Sequence, residues 1–481
     1  MNAPAPLPDI AIPAEFQSCL DAQRAAFLAA PEPSHAERLA DLKTLSRLVR
    51  ENEAAIVAAI NADYGNRSQF ETLFAEVYPI LDGIHDAAKR LKGWMKPRRR
   101  SVDFLTFPGA RNQVMPQPLG VVGVIVPWNF PLMLSFSPLV SIFAAGNRAM
   151  VKMSENSQKL AELLFDASPK YFPKEKLAFF EDGNGRGPAF SSLPFDHLIF
   201  TGSGATGRAV MANAARNLTP VTLELGGKSP AIVAPDFPIK TAAERILWGK
   251  TFNAGQVCLA VDHVYLPRGA EDAFVERCRK LFVQRYPNVN GPDFTSIIDQ
   301  RSFDRLTAAL DDARAKGARL VNLAEGQDPD RSRRKFAPHI VLDPTLDMEV
   351  MRREIFGPIL PVRVYDEPQQ AIDAINAGDR PLALYPFTKD TATRDFFISR
   401  TRSGGVSVNE PIMHVAQHDM PFGGVGASGM GHYHGREGFD TFSKLRPVFE
   451  QGPISAVQLF LQPPYGALAK RIVNLMIRMK S

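Results

Sequence analysis

The sequence predicts an α/β protein with two Rossmann-like domains, each built on a parallel sheet, together with a separate β-hairpin arm. Short apolar segments flanked by glycine alternate with segments of helical periodicity. This alternation is typical of a parallel sheet with helices on both faces. It is interrupted at Gly226-Gly227 and then starts again, which indicates two α/β halves joined by a hinge. A proline-rich stretch over residues 101–120 fits neither pattern, and we interpret it as the arm.

The region before the first sheet is predicted to be helical. Residues 1–13 are rich in proline and alanine and predict a loose arm. From Pro13 to Gly93, leucine, isoleucine and valine recur at helical spacing. Residues 101–108 and 112–118 then predict the two extended segments of a long hairpin around Gly109-Ala110-Arg111.

The two halves can be assigned element by element from the same patterns. In the first half the predicted strands are 120–126, 149–152, 177–180, 197–200 and 221–225. The helices between them end near Gly146 or cover 157–167 and 208–217. In the second half the predicted helices are 241–253, 270–283, 302–316 and 368–376, and the strands are 261–267, 338–342 and 360–365. A glycine-rich run over 404–431 follows.

The composition is that of a soluble globular protein, with 45% hydrophobic and 22% charged residues. We find no apolar run that could span a bilayer, and the N-terminus does not resemble a signal peptide. Cys19, Cys258 and Cys278 are odd in number and far apart, so we expect free thiols in a reducing, cytoplasmic compartment. Two basic clusters, at 96–100 and 331–335, contain no aromatic residues and are interpreted as solvated loops, not nucleic-acid contacts.

One cysteine is a candidate nucleophile. Gly255-Gln256-Val257-Cys258 places a thiol between a flexible glycine and an apolar run, where the edge of a packed element can present it. Cysteine attacks as the thiolate and therefore needs a lowered pKa or a nearby base. A buried structural cysteine is the alternative. The choice depends on the other motifs in the chain.

A glycine motif indicates a dinucleotide site. Gly202-Ser203-Gly204-Ala205-Thr206-Gly207 fits G-x-G-x-x-G, follows a predicted strand and opens a helix whose N-terminus favours phosphate. Glu224 lies at the distance at which an acidic residue would bind the ribose hydroxyls. Because it ends an apolar strand beside Gly226-Gly227, it can equally be a desolvated general base. The spacing does not separate these two roles.

Three further groups of polar residues carry weaker signals. Asn129 lies among Pro127, Trp128, Phe130 and Pro131, where its amide is either a turn former or an oxyanion donor. Glu354 precedes Phe356 and a Gly-Pro turn, a pattern that is more often structural. The histidine pairs 414/418 and 432/434 have no adjacent Glu or Cys, so we interpret them as loop positions and predict no metal site.

Taken together, these segments resemble the aldehyde dehydrogenase superfamily over about residues 35–445. Seven motifs occur in the family's order, and they are the segments 127–131, 152–155, 202–207, 223–228, 255–258, 354–358 and 421–424. Met153 stands where the family usually has proline. The short N-terminal region and the Cys258…Asp262 context resemble the class 3 branch. Within that branch, the stretches 62–76 and 115–157 most resemble bacterial coniferyl aldehyde dehydrogenases.

The resemblance implies a role for each motif residue. Cys258 would add to the aldehyde carbon, Asn129 would hold the oxyanion, and Glu224 would activate water to hydrolyse the thioester. The family assigns the ribose to an earlier strand, which frees Glu224 to be the base. The implied contacts of NAD, with NADP as a second option, are Pro127, Trp128, Lys152, Glu155, Gly202, Ser203, Gly207, Leu225, Gly226, Glu354 and Phe356.

The resemblance also implies an organisation and a substrate class. Residues 1–100 and 121–225 would form the NAD-binding domain and 226–405 the catalytic domain. Residues 101–120 and 406–450 would be arms that join a homodimer. From its own residues, the tail at 451–481 is predicted to carry an amphipathic helix, with Leu468, Ile472 and Leu475 on one face, that docks on the protein or its partner subunit, with peripheral membrane contact as the alternative. The expected substrate is an aromatic aldehyde such as coniferyl aldehyde; the alternatives are aliphatic aldehydes, or acyl transfer or ester hydrolysis without oxidation.

Overall fold

The computed structural model describes residues 10–104, 106–183, 185–460 and 462–480. The part of the predicted N-terminal arm before residue 10 lies outside these residues. The α-helices are α1 (Ala14–Ala29), α2 (His35–Glu51), α3 (Glu53–Tyr64), α4 (Gln69–Thr72), α5 (Tyr78–Trp94), α6 (Met133–Ala144), α7 (Gln158–Ala167), α8 (Gly187–Ser191), α9 (Gly204–Ala215), α10 (Ile239–Thr251), α11 (Glu271–Arg285), α12 (Gln300–Ala315), α13 (Glu349–Arg352), α14 (Pro368–Asn376), α15 (Thr391–Arg400), α16 (Gly435–Thr441), α17 (Ala456–Phe460) and α18 (Ala467–Arg478). Among these residues, no helix is both long and apolar enough to cross a membrane.

The strands form three sheets. They are β1 (Arg98–Arg100), β2 (Arg111–Pro118), β3 (Val121–Ile125), β4 (Arg148–Lys152), β5 (Leu177–Phe180), β6 (His197–Gly202), β7 (Val221–Leu225), β8 (Pro230–Val233), β9 (His263–Pro267), β10 (Arg319–Asn322), β11 (His339–Leu342), β12 (Ile359–Tyr365), β13 (Ala383–Phe387), β14 (Gly405–Val406), β15 (Gly429–Met430) and β16 (Ser443–Glu450). The predicted α/β class with two parallel-sheet halves is confirmed.

The first sheet has the strand order β15-β7-β6-β3-β4-β5, and only β15 runs antiparallel to its neighbour. All five residues of β3 are buried, as expected for a central parallel strand with both faces covered. From β3 the chain winds first to β4 and β5 on one side, and then to β6 and β7 on the other. This reversal creates a crevice at the carboxyl ends of β3 and β6, where doubly wound folds bind ligands.

The second sheet has the order β10-β11-β12-β9-β8-β13-β14, and β10 is its antiparallel edge strand. Strands β8 and β13 were not predicted from the sequence, although both are fully buried. Each contains a proline, Pro230 and Pro386, which weakens the pattern of a sheet interior. Strand β16, the short strands β10, β14 and β15, and helices α8, α13, α15, α16 and α17 were also missed.

The predicted hairpin over 101–120 is wrong in its pairing. Strand β2 pairs on one side with β1 and on the other with β16, over eight residue pairs from Ser443↔Pro118 to Glu450↔Arg111. Its main partner, β16, is therefore about 330 positions away in the sequence. No local sequence pattern can indicate such a pairing. Strand β1 also corrects the loop predicted at 96–100, because Arg98 belongs to this sheet and donates to Asp440 over 2.6 Å.

Candidate active site

A strained turn presents the candidate nucleophile. After α10, the consecutive residues Asn253, Ala254 and Gly255 have φ angles of 48, 50 and 72°. Two non-glycine residues in the left-handed region cost free energy that the surrounding structure must supply. A side chain at Gly255 would press on the carbonyl oxygens of Lys250 and Gly357. The turn places Cys258 partly exposed in a cavity, while Cys19 and Cys278 are buried elsewhere.

Buried hydrogen bonds hold this turn in place. Glu71 accepts from the backbone N–H of Asn253 over 2.9 Å and from the hydroxyl of Thr295 over 2.5 Å. The Gln256 amide donates to the carbonyl of Asn253 over 3.0 Å and accepts from the backbone N–H of Ile298 over 2.9 Å. These bonds tie the turn that carries the thiol to Glu71 and to the segment 295–298, both distant in the sequence.

The Cys258 thiol is neutral in this state. Burial raises its pKa to about 12, and the neighbouring Glu354 and Glu224 carboxylates add to the rise. The backbone N–H groups of Cys258 and Leu259 act in the opposite direction. A neutral thiol attacks slowly, so the site requires a base close to Cys258.

Glu224 is the group in this cavity best placed to be that base. It lies on β7, is only 3% exposed, and neither carboxylate oxygen has a hydrogen-bond partner among the described residues. Burial raises its pKa well above the usual range of a glutamate. An unpaired buried carboxyl costs stability, so its presence points to a function. Glu224 and Cys258 line the same cavity.

Asn129 is held so that its amide faces the same region. Its side-chain nitrogen donates to the carbonyl of Gln256 over 3.3 Å, which leaves the second amide hydrogen for another acceptor. Its backbone carbonyl accepts from the Tyr64 hydroxyl, the Arg67 guanidinium and the Asn253 amide over 2.9, 3.2 and 3.3 Å. The backbone of the residue is thus fixed by three donors.

A buried ion pair anchors the Asn129 turn, and sequence reasoning missed it. Arg67 donates to Glu76 over 2.6 Å, and both side chains are 0% exposed. The other Glu76 oxygen accepts from the backbone N–H groups of Leu132 and Met133 over 2.8 and 3.1 Å. Glu76 lies in the π-helical segment Leu73–Val77, which connects α4 and α5. We call Arg67 and Glu76 the clamp.

Two connected cavities form a groove at the switch point of the first sheet. One, of about 400 Å³, is lined by Lys152 and Glu155 among others. The next, of about 280 Å³, is lined by Leu225, Gly226, Glu354, Phe356 and the catalytic candidates. The residues common to both linings are Pro127, Trp128, Thr201, Gly202 and Ser203. Ser203 caps the N-terminus of α9, which favours a bound phosphate at this point.

The glycines of the groove have different physical roles. A side chain at Gly226 would collide with the Glu354 carboxylate, which also accepts from the Gly227 N–H. Gly207, predicted as a cofactor contact, lines neither cavity. A side chain there would lie 2.7 Å from Leu225, so its absence lets helix α9 pack against strand β7.

The end of the groove near Cys258 is formed by Glu354 and Phe356. Burial raises the pKa of Glu354 to about 8, and the nearby Asp262 carboxylate contributes. Phe356 has a φ of 46° and packs edge-on against Trp128 with ring centres 5.3 Å apart. Arg305, which no motif indicated, donates to the carbonyls of Ile355 and Phe356 over 2.8 and 3.3 Å.

Asp182 is a second residue that no motif indicated. Lys152 forms an ion pair of 2.7 Å with Asp182, and both side chains are at most 8% exposed. Glu155 is exposed at the same cavity. Asp182 therefore already balances the charge of Lys152, and the Glu155 carboxylate adds a negative charge at the same cavity.

A third cavity, of about 340 Å³, meets the groove at Cys258. We call it the apolar tunnel. The two linings have Leu134, Cys258, Phe422 and Tyr433 in common. The other aromatic residues of the tunnel are Phe74, Tyr78, Phe130, Trp248 and Phe252. Cys258 thus lies where a groove with an anion-binding helix end meets a tunnel for an apolar molecule.

Comparison with known proteins gives this arrangement a family. The model of the aldehyde dehydrogenase family matches residues 10–448. The chain is 49% identical to a probable coniferyl aldehyde dehydrogenase of Pseudomonas aeruginosa over 467 residues, covering 96% of this chain and 97% of that protein. It is 43% identical to a coniferyl aldehyde dehydrogenase of a Pseudomonas species, covering 96% of each. It is 40% identical to mouse aldehyde dehydrogenase family 3 member A2, covering 86% of this chain and 84% of the relative.

Solved structures agree with this result. The substrate-bound AldH of Staphylococcus aureus superposes with a TM-score of 0.89 at 33% identity, covering 96% of this chain and 99% of that one. A Mycobacterium tuberculosis aldehyde dehydrogenase in complex with NAD+ gives a TM-score of 0.81 at 27% identity, covering 92% and 91%. The resemblance predicted from the seven motifs is confirmed. The chain belongs to the aldehyde dehydrogenase family and is an enzyme that oxidises aldehydes.

Proposed function

We propose that the chain oxidises an aromatic aldehyde of the coniferyl aldehyde type to its carboxylic acid, with NAD as hydride acceptor and a thioester on Cys258. The observation that carries this proposal is the position of Cys258. It lies at the junction of the groove and the apolar tunnel, in one cavity with an unpaired Glu224 and with Asn129.

The residues of the chain divide the chemistry between them. The Cys258 thiol gives its proton to a base of the cavity, for which the unpaired Glu224 carboxylate is best placed, and the thiolate adds to the aldehyde carbon. The carbonyl oxygen becomes an oxyanion that accepts from the Asn129 amide and from the backbone N–H of Cys258. The carbonyl re-forms as hydride leaves the former aldehyde carbon, which gives a thioester on Cys258; a nicotinamide bound in the groove would be the hydride acceptor. Glu224 then takes a proton from the water that attacks the thioester, which releases the acid and restores the thiol.

The groove fits a dinucleotide cofactor on physical grounds. Gly202 and Ser203 stand at the N-terminus of α9, which provides N–H groups for a pyrophosphate. Gly226 lets the Glu354 carboxylate approach the backbone at the nicotinamide end. Lys152 and Glu155 line the far cavity, where the adenosine ribose would lie.

The charges around that ribose support NAD over NADP. Asp182 already neutralises Lys152 through the 2.7 Å ion pair, and Glu155 adds a negative charge. A carboxylate accepts the ribose hydroxyl hydrogens but repels a 2′-phosphate. The proposed cofactor is therefore NAD.

The substrate class is supported by the tunnel and by the relatives. The tunnel walls carry several aromatic rings, which offer flat apolar faces to a planar aromatic aldehyde. Two relatives are named coniferyl aldehyde dehydrogenases, one of them as probable. Among aldehydes, we expect the highest kcat/KM for aromatic and cinnamyl compounds.

The test is a survey of kcat/KM for aromatic, cinnamyl and straight-chain aldehydes with NAD. Each reaction is monitored through the absorbance of the reduced cofactor. Cys258→Ala should abolish the signal, and Cys19→Ala and Cys278→Ala serve as matched controls that keep it. A higher kcat/KM for straight-chain aldehydes would reject the substrate class. Ester hydrolysis without any reduction of NAD would favour the acyl-transfer alternative.

We also propose a cytoplasmic homodimer. Cys19, Cys258 and Cys278 are free, in keeping with a reducing compartment. On the three-stranded sheet, Leu445 and Phe449 of β16 are exposed, and a second copy of the chain would cover them. On α18 most apolar residues, such as Leu468 and Leu475, are exposed, while Ala469 is buried. The tail is expected to complete its burial against the partner subunit.

A further inference from the structure

The apolar tunnel has a polar group at one place in its wall. Residues Ala75, Tyr78, Pro79 and Asp82 follow the wall at helical spacing. Over the seven steps from 75 to 82, a helical rise of 1.5 Å per residue gives a wall about 10 Å long. At its end the Asp82 carboxylate contacts the Nε2 atom of His418 over 2.9 Å. We call Asp82 and His418 the distal pair.

The distal pair lies at the solvent-exposed mouth of the tunnel, away from the junction with the groove where the nucleophile lies. The residues that the tunnel has in common with the cofactor groove, Cys258 among them, define its inner end, and neither Asp82 nor His418 is one of them. Tyr78 is 61% exposed and the Asp82 side chain is 43% exposed, so this end opens to solvent. A substrate with its aldehyde carbon at Cys258 therefore extends towards the distal pair.

The lining between the two ends is almost entirely apolar. Among the described residues, the polar side chains that line it are Cys258, Trp248, two tyrosines and the distal pair. A hydroxyl group on the ring of a substrate would lose part of its water on entering this tunnel, and a hydrogen-bond partner at the mouth would replace that water. A carboxylate is a strong acceptor for this hydroxyl, because hydrogen bonds to charged groups are stronger than neutral ones.

We propose that the distal pair is the subsite that recognises the para-hydroxyl group of a phenolic cinnamyl aldehyde. This inference rests on the proposed function and deepens it by naming the group that selects the substrate. Ordinary bond lengths place the para oxygen of a cinnamyl aldehyde on the order of 8 Å from its carbonyl carbon. That length is shorter than the stretch of about 10 Å along residues 75–82, so a cinnamyl aldehyde can lie along this wall. Asp82 accepts the hydroxyl hydrogen, and His418 fixes the carboxylate.

A purely structural role is the competing explanation. The Asp82–His418 contact also ties α5 to the loop after the 3₁₀ turn Met413–Ala416. A structural tie predicts that its loss affects all substrates alike. A recognition subsite predicts that its loss affects only substrates with a hydroxyl donor, so the ratio of two substrates separates the explanations.

The experiment measures kcat/KM for cinnamaldehyde, 4-hydroxycinnamaldehyde and 4-methoxycinnamaldehyde with NAD at about pH 7, where the phenol keeps its proton. The variant is Asp82→Ala. The matched control is Asp86→Ala, one turn further along α5, which is paired with Arg90 over 2.8 Å and does not line the tunnel. His418→Asn is a second variant, which keeps a polar group of smaller size.

For Asp82→Ala we expect kcat/KM for 4-hydroxycinnamaldehyde to fall about tenfold, mainly through KM, from the loss of one hydrogen bond to a charged group. Values for cinnamaldehyde and 4-methoxycinnamaldehyde should change less than about twofold. His418→Asn should lower kcat/KM for 4-hydroxycinnamaldehyde by a smaller factor and should also spare the other two aldehydes. Asp86→Ala should change none of the three values. An equal fall for all three aldehydes, or no change in their ratio, overturns the subsite. If the unmodified enzyme oxidises no aromatic aldehyde, the proposed function itself has failed.

Discussion

Replacing Arg67 with methionine is expected to lower the free energy of unfolding by about 3–5 kcal/mol, the cost of leaving one member of a buried ion pair uncompensated. Both clamp side chains are fully buried, and Glu76 would keep only the backbone N–H groups of Leu132 and Met133. Methionine preserves apolar contact with the rings of Tyr64 and Phe130, which lie 5.1 and 4.8 Å from the guanidinium carbon. The lost unfolding free energy therefore reports mainly the removed charge and only to a small extent the removed packing.

The same change should slow the reaction. Without Arg67, the backbone carbonyl of Asn129 keeps two of its three donors, and the turn that carries the oxyanion donor is less firmly held. We expect kcat to fall while the Kd for NAD, from fluorescence titration, changes little. A displaced oxyanion donor lowers kcat, because it acts on charge that develops during the reaction.

The assay is urea unfolding followed by tryptophan fluorescence, for Arg67→Met, Glu76→Gln and the double variant. The double variant should lose less unfolding free energy than the two single variants lose together. We expect this difference to exceed about 1 kcal/mol. Arg47→Met is the matched control, since its pair with Glu51 is 63% and 49% exposed and should cost under about 1 kcal/mol. Additive losses, or an Arg67 variant no less stable than this control, would refute the clamp.

Three further predictions follow from the groove and the arm. The enzyme should prefer NAD to NADP by at least about tenfold in kcat/KM, and Glu155→Gln should make this ratio smaller. A clear preference for NADP would contradict the role given to the Glu155 and Asp182 charges. Because burial raises the pKa of Glu224 well above the usual range of a glutamate, kcat should still increase with pH in the interval above about pH 6, where an ordinary glutamate is already ionised. A flat profile over that interval would exclude Glu224 as the base of the slow step. Light scattering at working concentration should give the mass of a dimer, and a stable monomer would reject the proposed arm.

The parts of the site that local motifs encode could be predicted from the sequence. Cys258, Asn129 and the Gly202–Gly207 turn each stand in short segments that mark them as candidates, and the family resemblance was needed to choose between the alternatives at Cys258 and Asn129. Glu224 required the family resemblance, because its distance from the glycine motif fits two roles equally well. In the structure, its unpaired and buried carboxyl supplies the physical reason for preferring the base.

The rest depends on contacts between distant segments. Glu76 lies within a helical stretch, and nothing in that pattern indicates that its carboxylate anchors a turn more than 50 positions later. Asp182 and Arg305 become part of the groove only because parallel strands and a helix bring them there. The pairing of β2 with β16 likewise joins two segments that lie about 330 positions apart in the sequence. Such contacts are properties of the folded chain and leave no local signal.

The most direct test of the central claim is rapid mixing of Glu224→Gln with an aldehyde and NAD. If Glu224 is the base for hydrolysis, reduced cofactor should appear in a burst near one per active site. A steady state slower by about 10²–10⁴-fold should follow, because the thioester on Cys258 accumulates. The burst rate must be recorded with its size, since a slow burst would show that Glu224 also deprotonates Cys258. Near-normal turnover at saturating NAD, with only a raised KM for NAD, would contradict the account and assign Glu224 to the ribose.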